Sequence, residues 1–325
     1  MIPLTLFYCD SSHADKWLAD PCVLAFIRFQ ESVVDTPDPR VCALGLPELG
    51  GTATVEVWRG ARPAQTGILD GVGYADNDAV LFLQLNLDEQ STADLSLLTN
   101  TAYRRLFAAA RARGYPYLLR VWNYFPDIAR EAGGLERYQA FCVGRHWALL
   151  AERAECENHL PAACAIGTQG PGLRIYALAS REAGLQIENP RQVSAFRYPR
   201  QYGPTSPSFS RAIFKDWGTP DAHLYISGTA SVVGHASQHL ELMAQLEETL
   251  RNLQALLDQA NRVVPVVLRP TLLKIYLRPG FDPAPLRDRI VQTLGTVPLL
   301  FLGADICRPD LLVEIEGVAV SEVQG

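Results

Sequence analysis

The sequence contains no long hydrophobic run. Its longest apolar stretch, residues 297–302, is far shorter than the roughly 20 residues that a transmembrane helix needs. The first ten residues carry no basic side chain and reach Asp10 early, which argues against a signal peptide. The seven cysteines are scattered, odd in number and never spaced as CxxC, so we expect free thiols. These features predict a cytoplasmic protein without a membrane partner.

Motifs for nucleotides, redox cofactors and metals are also lacking. The glycine-rich segment 167–172 has neither the lysine nor the spacing of a phosphate-binding P-loop. No GxGxxG follows a predicted strand and no GxSxG is present, which argues against a dinucleotide site and a serine nucleophile. His235 and His239 have the spacing of two metal ligands on one helix, but no third ligand lies at a suitable spacing. We therefore expect neither a cofactor nor a metal.

Basic residues are fewer than acidic ones. The 325 residues include 29 Lys and Arg against 35 Asp and Glu, a net charge of -6. This balance argues against a nucleic-acid partner, which normally needs a basic surface. A small anionic substrate stays compatible with it, because a pocket needs only two or three arginines. The length predicts two domains, and 48% hydrophobic with 20% charged residues is typical of a globular chain.

The C-terminal half alternates between predicted strands and helices. Residues 223–231 favour a strand, and leucines at three- and four-residue steps predict an amphipathic helix over 242–260. A strand at 272–277, a helix at 286–294 and a strand at 311–320 follow.

The N-terminal half repeats this order. We interpret the chain as a duplicated α+β unit, with one domain at 1–180 and a second at 181–325. The alternative is a chance similarity between two common element orders. The repeated elements are strands at 79–87, 117–124 and 173–179 and helices at 94–113 and 135–150.

Aligning the two halves pairs Arg174 with Glu314 and Tyr176 with Glu316. Only the second half then carries carboxylates in its closing strand, so the first half is interpreted as degenerate. Alternation along a strand places Glu314 and Glu316 on one face. Burial or the neighbouring charge can raise the pKa of such a carboxyl, which suits a general acid near neutral pH. The alternative is that both acids line a solvated or interfacial face.

Arginines cluster in one loop. Segment 194–212 is shaped by proline and glycine and holds Arg197, Arg200 and Arg211, which suit bidentate binding of carboxylates. Arg145 lies within a mostly apolar predicted helix and needs a partner or a ligand. The alternatives are a surface loop whose arginines pair with the surplus acids, and a salt-bridged or snorkelling Arg145.

Several strings in the C-terminal half resemble the RidA/YjgF family, and imply a small α+β fold that forms trimers with sites between subunits. They are YGP at 202–204, SRA at 210–212, YISG at 225–228, QLEETLRNL at 245–253 and VEIEGVA at 313–319.

A second set of strings covers nearly the whole chain. They are LRVWNYFPDI at 119–128, YQAFCVGRHW at 138–147, LPAAC at 160–164, GTQ at 167–169 and PSFSRA at 207–212. Together they resemble the chorismatases, tandem RidA-like enzymes that act on chorismate, and among them the xanthomonad-type enzymes that form 3- and 4-hydroxybenzoate. The resemblance implies tandem RidA/YjgF-like (chorismate-mutase-like) domains of the α+β class, with mixed sheets and helices packed on one face.

The resemblance also implies roles for individual residues. The family's catalytic glutamate falls on Glu314, and its substrate-binding arginines fall on Arg145, Arg211 and Arg278. Cys307 lies seven residues before the glutamate, where members that make 3-hydroxybenzoate carry a cysteine.

A small residue that lines the ring pocket of the family is expected at Gly228 or Ala230. The arginine that RidA proteins carry on the strand before the glutamate has no counterpart here, because residues 299–302 are apolar. This difference argues against imine deamination.

The activity implied by the resemblance is cofactor-independent conversion of chorismate to 3-hydroxybenzoate, 4-hydroxybenzoate or both, with release of pyruvate. One alternative is a hydrolase of the same family, which gives 3,4-dihydroxycyclohexa-1,5-diene carboxylate and pyruvate. Another is a RidA-like protein that binds a small acid without turnover. The tandem unit is compatible with a monomeric pseudo-assembly and with a trimer.

Overall fold

The chain folds into three main β-sheets with α-helices packed against them. The structure is a computed structural model and describes residues 4–31, 33–51, 53–89, 94–152, 156–218 and 221–322. The helices are α1 (Ala14–Leu18), α2 (Leu95–Ala112), α3 (Arg137–Glu152), α4 (Leu242–Val263) and α5 (Ala284–Leu294). The strands are β1 (Leu4–Asp10), β2 (Val23–Gln30), β3 (Val41–Gly45), β4 (Thr54–Gly60), β5 (Gln65–Leu69), β6 (Val72–Asp76), β7 (Val80–Leu87), β8 (Tyr117–Pro126), β9 (Glu131–Ala132), β10 (Leu135–Glu136), β11 (Ala162–Thr168), β12 (Leu173–Ser180), β13 (Leu185–Ile187), β14 (Ala212–Lys215), β15 (His223–Ala230), β16 (Val232–Val233), β17 (Ala236–Ser237), β18 (Leu268–Leu277), β19 (Leu299–Gly303), β20 (Asp305–Ile306) and β21 (Val313–Ser321).

The strand pairing is mixed in every main sheet. The first sheet has the order β1-β4-β2-β3, the second β20-β11-β8-β12-β7-β6-β5, and the third β13-β14-β15-β21-β18-β19. Each contains one parallel pair, namely β2 with β3, β8 with β11, and β18 with β19. Helices α2 and α3 pack on one face of the second sheet, and α4 and α5 on one face of the third. The predicted α+β class with mixed sheets is confirmed.

The second and third sheets share one strand order. Six strands of the second sheet have the order β5-β6-β7-β12-β8-β11. They match, one by one, the order β13-β14-β15-β21-β18-β19 of the third sheet. In both sheets the closing strand, β12 or β21, lies between the two strands that flank the first long helix. The common order supports a duplication, and the division at residue 180 stays a prediction.

The first sheet is an element that sequence analysis missed. Residues 4–60 received no predicted strand, although they form four. Strand β2 is buried along almost its whole length, so its sequence VLAFIRFQ lacks the alternation of a half-buried strand. Strand β11 was missed as well, because the small residues of AACAIGT give no periodic pattern.

No helix in the described part of the chain is long and apolar enough to cross a membrane. The six cysteines whose side chains the structure describes are free thiols.

The three sheets meet around a core that contains ionised groups as well as apolar ones. Glu56 of β4, Arg120 of β8, and Lys274 and Glu316 of the third sheet are all buried there. The Lys274 ammonium lies 2.8 Å from the Glu56 carboxylate and 3.3 Å from that of Glu316, and Arg120 forms an ion pair with Glu316. We call these four residues the central ion cluster. Each main sheet contributes at least one charge to it.

Helices α2 and α3 cross in close contact at Gly144. A Cβ atom there would overlap the backbone carbonyl of Ser96 and lie 2.8 Å from its carbon. Because Ser96 belongs to the first turn of α2, its backbone has little freedom to yield. The absence of a side chain at Gly144 therefore sets how deeply α3 sits, and with it the position of the next residue, Arg145.

We expect Gly144→Ala to lower the free energy of unfolding by about 1–3 kcal/mol, the usual cost of overpacking. The sign of this change distinguishes a close contact from a loose one. Alanine is the better helix former by roughly 0.5–1 kcal/mol, so it would stabilise α3 if the contact were loose. Chemical denaturation measures the difference. Leu150→Ala, at an exposed position of the same helix, is the control and should change stability by less than about 1 kcal/mol. A Gly144→Ala variant as stable as the wild type would contradict the prediction.

Candidate active site

A cavity of about 290 Å³ lies where the second and third sheets approach each other. Its walls come from β11, β15, β21 and α3, together with the segments 192–211 and 307–311. Six of the seven predicted site residues line it, namely Glu314, Arg145, Arg211, Cys307, Gly228 and Ala230.

Glu314 is held by the interior of the third sheet. It lies near the start of β21, opposite Ala230 of β15 on one side and Tyr276 of β18 on the other. Its side chain is buried, with a residue exposure of 5%. Burial raises the pKa of Glu314 to about 8, the negative charge of Glu316 adds to this rise, and Arg120 and Arg211 oppose it. Glu314 is therefore mostly protonated at neutral pH.

Gly228 provides the space that the Glu314 carboxyl occupies. A Cβ atom at Gly228 would overlap a carboxyl oxygen of Glu314 and lie 2.6 Å from its Cδ. The register between β15 and β21 shifts between Ile226 and Thr229, so the glycine lies in an irregular part of the pairing. A small residue was expected at Gly228 or Ala230. The geometry explains one at 228, because a side chain there would overlap the Glu314 carboxyl.

Arg145 is a buried cation with no acidic partner among the residues that the structure describes. Its residue exposure is 3%, and its guanidinium lies over the Tyr103 ring at 5.4 Å from the centroid. Its Nε and one terminal nitrogen have no hydrogen-bond partner among the described residues. No described carboxylate forms an ion pair with it, in contrast to the salt-bridged alternative. A desolvated guanidinium with free donors is suited to an anionic ligand.

Arg211 presents a second guanidinium to the cavity. One terminal nitrogen donates to the Tyr198 hydroxyl at 2.7 Å and to the Val193 carbonyl at 3.0 Å. Its Nε, however, is buried and has no partner within the described chain. The loop arginines Arg197 and Arg200 do not line the cavity. Of the three arginines in segment 194–212, only Arg211 is thus placed to meet a ligand.

Arg308 also lines the cavity and was not predicted. It donates to the His235 carbonyl at 3.0 Å and to the Ser237 hydroxyl at 3.2 Å, and it lies over the Tyr202 ring at 4.2 Å. In the sequence, the position of Arg308 next to Cys307 could have indicated that it lines the cavity.

Arg278, by contrast, does not reach the cavity lining. Its guanidinium donates to the backbone carbonyls of Leu311, Ile306 and Arg308, and it pairs with Asp305 at 3.0 Å. The expectation that it contacts substrate is corrected by this geometry. Arg278 holds the 305–311 segment, which carries five cavity residues, those at 307–311.

Cys307 lies at the cavity as a neutral thiol. Burial and the nearby Glu314 raise its pKa to about 12. Cys164, on β11, also lines the cavity, and burial and the charge of Glu316 raise its pKa well above the usual value. Neither thiol is therefore activated as a nucleophile, because the thiolate is the reactive form.

The two histidines with metal-ligand spacing do not lie on a helix. His235 precedes β17 and its Nδ1 lies 3.1 Å from the Tyr202 hydroxyl, while His239 lies 3.4 Å from the Glu248 carboxylate. Helix α4 begins only at Leu242, so the spacing does not place both rings on one face. Within the described ranges, no three potential ligands from His, Cys, Asp and Glu come together.

Comparison with known proteins agrees with this geometry. The family model described as "Chorismatase FkbO/Hyg5-like, N-terminal" matches residues 56–179. A 3-hydroxybenzoate synthase of Streptomyces hygroscopicus is 35% identical over 280 residues, covering 82% of this chain and 81% of that protein. A chorismatase of the same organism is 37% identical over 278 residues, covering 82% and 79%.

A crystal structure of a chorismatase matches with a TM-score of 0.86 and 32% identity, and covers 98% of both chains. The fold and the cavity define a protein with a buried carboxyl close to arginines. The sequence identities to these relatives, and the share of each chain that they cover, show that the chain belongs to the chorismatase family.

We expect the Glu314 carboxyl to titrate near pH 8, since burial and Glu316 both disfavour its ionised form. Infrared difference spectroscopy should show a protonated carboxyl at pH 6 that disappears as the pH rises through about 8. The same band should be missing from Glu314→Gln, which identifies it. A band that is already lost by pH 5 would show that Glu314 ionises like an ordinary glutamate and would contradict the prediction.

Proposed function

We propose that this protein converts chorismate to pyruvate and a hydroxybenzoate, the 3-isomer, the 4-isomer or both. The observation that carries the proposal is a buried carboxyl, Glu314, that lines one cavity together with two partly unpaired arginines, Arg145 and Arg211. The names of the relatives, chorismatase and 3-hydroxybenzoate synthase, support the same substrate.

The charges of the cavity suit this substrate. Chorismate carries one carboxylate on its ring and one on its enolpyruvyl ether. Arg145 and Arg211 approach the cavity from different elements, so each can bind one carboxylate through donors that no described residue occupies. Arg308 adds positive charge at the segment that carries Cys307. Fixing both ends of the dianion holds the ether between them, beside Glu314.

Glu314 acts as the acid. It transfers its proton to the methylene carbon of the enolpyruvyl group, which leaves a cation stabilised by the ether oxygen. The bond between the ether oxygen and the ring carbon then breaks with its electron pair on oxygen, so the three-carbon fragment leaves as pyruvate and the ring carries the positive charge. The Glu314 carboxylate takes up the proton that the ring loses as it becomes aromatic, which restores the acid. Direct loss of this proton gives the 4-isomer, and the 3-isomer forms when the neighbouring ring hydroxyl oxygen first moves to the carbon that lost the ether. Chorismate and the two products balance without water, oxidant or reductant, so the reaction needs no cofactor.

Cys307 favours the synthase subtype over the hydrolase. It lies in the cavity as a neutral thiol, at the position where the resemblance places the cysteine of members that make 3-hydroxybenzoate. The hydrolase alternative consumes one water and leaves a diene. A neutral thiol near the ring shapes the pocket without supplying a nucleophile, which suits collapse of the ring to an aromatic product.

We also propose that the protein works in the cytoplasm. The free thiols of the six described cysteines support this location, since oxidising compartments favour disulfides.

Purified protein with chorismate and no added cofactor tests the proposal. We expect pyruvate to form in step with 3- or 4-hydroxybenzoate, and we expect turnover to fall as the pH rises through about 8, where Glu314 loses its proton. Glu314→Gln should slow pyruvate release by about 10²–10⁴-fold, the usual contribution of a general acid.

The products distinguish the synthase from the alternatives, and the Glu314→Gln variant tests the role of the acid. Pyruvate with a non-aromatic diene would replace the synthase with the hydrolase. Intact chorismate would leave a binding protein, and near-normal turnover in Glu314→Gln would remove Glu314 from the chemistry.

Arg145→Met tests the carboxylate contact. We expect kcat/KM to fall by roughly 10–100-fold, because a hydrogen bond to a charged group contributes about 1.5–3 kcal/mol. Arg197→Met is the matched control, since Arg197 is an exposed arginine outside the cavity that lies 3.9 Å from Glu157. Equal losses in the two variants would contradict a specific role for Arg145.

A further inference from the structure

Glu316 is a buried carboxylate that the proposed chemistry does not use. One of its oxygens accepts hydrogen bonds from the Trp122 indole at 2.7 Å and from the Tyr276 hydroxyl at 3.0 Å, and the Lys274 ammonium lies 3.3 Å from the same oxygen. The other oxygen pairs with Arg120. Burial opposes ionisation, but Arg120 and Lys274 outweigh it and lower the pKa of Glu316. Glu316 is therefore a fixed negative charge.

This charge lies directly behind the proposed acid. Glu316 and Glu314 are two residues apart on β21, so both project from the same face of the sheet. Cys164 lies between the two sites: its thiol interacts with Glu316, while its Cβ and the Glu314 carboxyl both lie near the empty Cβ position of Gly228.

The charged and titratable groups that face Glu314 come from four other places in the fold. Arg120 is on β8, Arg211 precedes β14, Cys164 is on β11, and Cys307 follows β20. Both thiols are neutral at physiological pH, because burial raises their pKa values. Both arginines favour the ionised form of Glu314. Glu316 is the group whose charge favours the acid form.

We propose that Glu316 is a positioning residue that keeps Glu314 loaded with its proton, by holding one fixed negative charge against the same face of the strand. The inference rests on the proposed function, because it assigns Glu314 the role of proton donor. After the proton has moved to the substrate, Glu314 and Glu316 are both ionised, and they lie two residues apart on the same face of β21. Their repulsion drives the return of a proton to Glu314 and closes the cycle.

The central ion cluster supplies a matched control. Glu56 is the other carboxylate of the cluster; it is equally buried and lies 2.8 Å from the same Lys274 ammonium. It belongs to β4 of the first sheet, and the charges that act on Glu314 are those of Glu316, Arg120 and Arg211. If the cluster has only a structural role, Glu316→Gln and Glu56→Gln should change the pH dependence of activity alike. If Glu316 keeps Glu314 protonated, only Glu316→Gln should change it.

The decisive measurement is the pH dependence of kcat/KM for pyruvate release, which reports on groups of the free enzyme. We expect activity in the wild type to fall as the pH rises through about 8. In Glu316→Gln this fall should move to lower pH by on the order of one unit, the effect of one nearby charge in a partly polar interior. In Glu56→Gln it should stay within a few tenths of a unit of the wild type.

Each outcome has one meaning. An unmoved profile in a folded Glu316→Gln, or equal shifts in both variants, overturns the inference while the proposed function stands. A wild type that releases no pyruvate overturns the proposed function itself. Thermal unfolding of both variants shows whether the fold survives the loss of an ion-pair partner.

A second measurement does not depend on the folding of Glu316→Gln. In Glu314→Gln, infrared titration from pH 6 to 9 should reveal no protonated buried carboxyl, because Glu316 stays ionised. A protonated carboxyl in that range that persists when Glu56→Gln is added would show that Glu316 is neutral and would overturn the inference.

Discussion

The structure depends on four charges that are almost completely buried. Glu56, Arg120, Lys274 and Glu316 carry two negative and two positive charges into the junction of the three sheets. Each ion costs several kcal/mol to bury, and the cost is repaid only when its partner and hydrogen-bond donors are in place. The cluster therefore requires all three sheets to assemble in one arrangement. Stacked indole and phenol rings surround it, with Trp122 and Tyr176 4.6 Å apart between centroids.

This arrangement separates the proposed acid, Glu314, from two arginines of the cavity, Arg211 and Arg308. Glu314 belongs to an interior strand of the third sheet, so the packing that fixes the cluster also fixes the acid. Arg211 and Arg308 instead come from connecting segments. In the corresponding closing strand of the second sheet, Tyr176 donates or accepts through its hydroxyl but carries no charge, and Arg174 pairs with Asp35. The two halves thus share a strand order and differ in chemistry.

The sequence was sufficient for features that depend on neighbours along the chain. The bounds of α2, and the placement of Glu314 and Glu316 on one face, follow from local periodicity. Contacts between distant segments were not predictable in this way. Arg278 turns towards backbone carbonyls rather than the cavity, and the pairing of Glu56 with Lys274 joins residues of different sheets. The resemblance to known enzymes named the acid, but only the fold shows which arginines face it.

The contact between Gly228 and Glu314 ties the direction of one side chain to the absence of another. The carboxyl fills the volume that any other residue at position 228 needs for its first side-chain atom. An alanine at 228 therefore requires the end of the Glu314 side chain to turn away from its present position. The fold thus sets the direction of this carboxyl through a position that carries no side chain, and a substitution there changes the geometry of the cavity without removing any group from it.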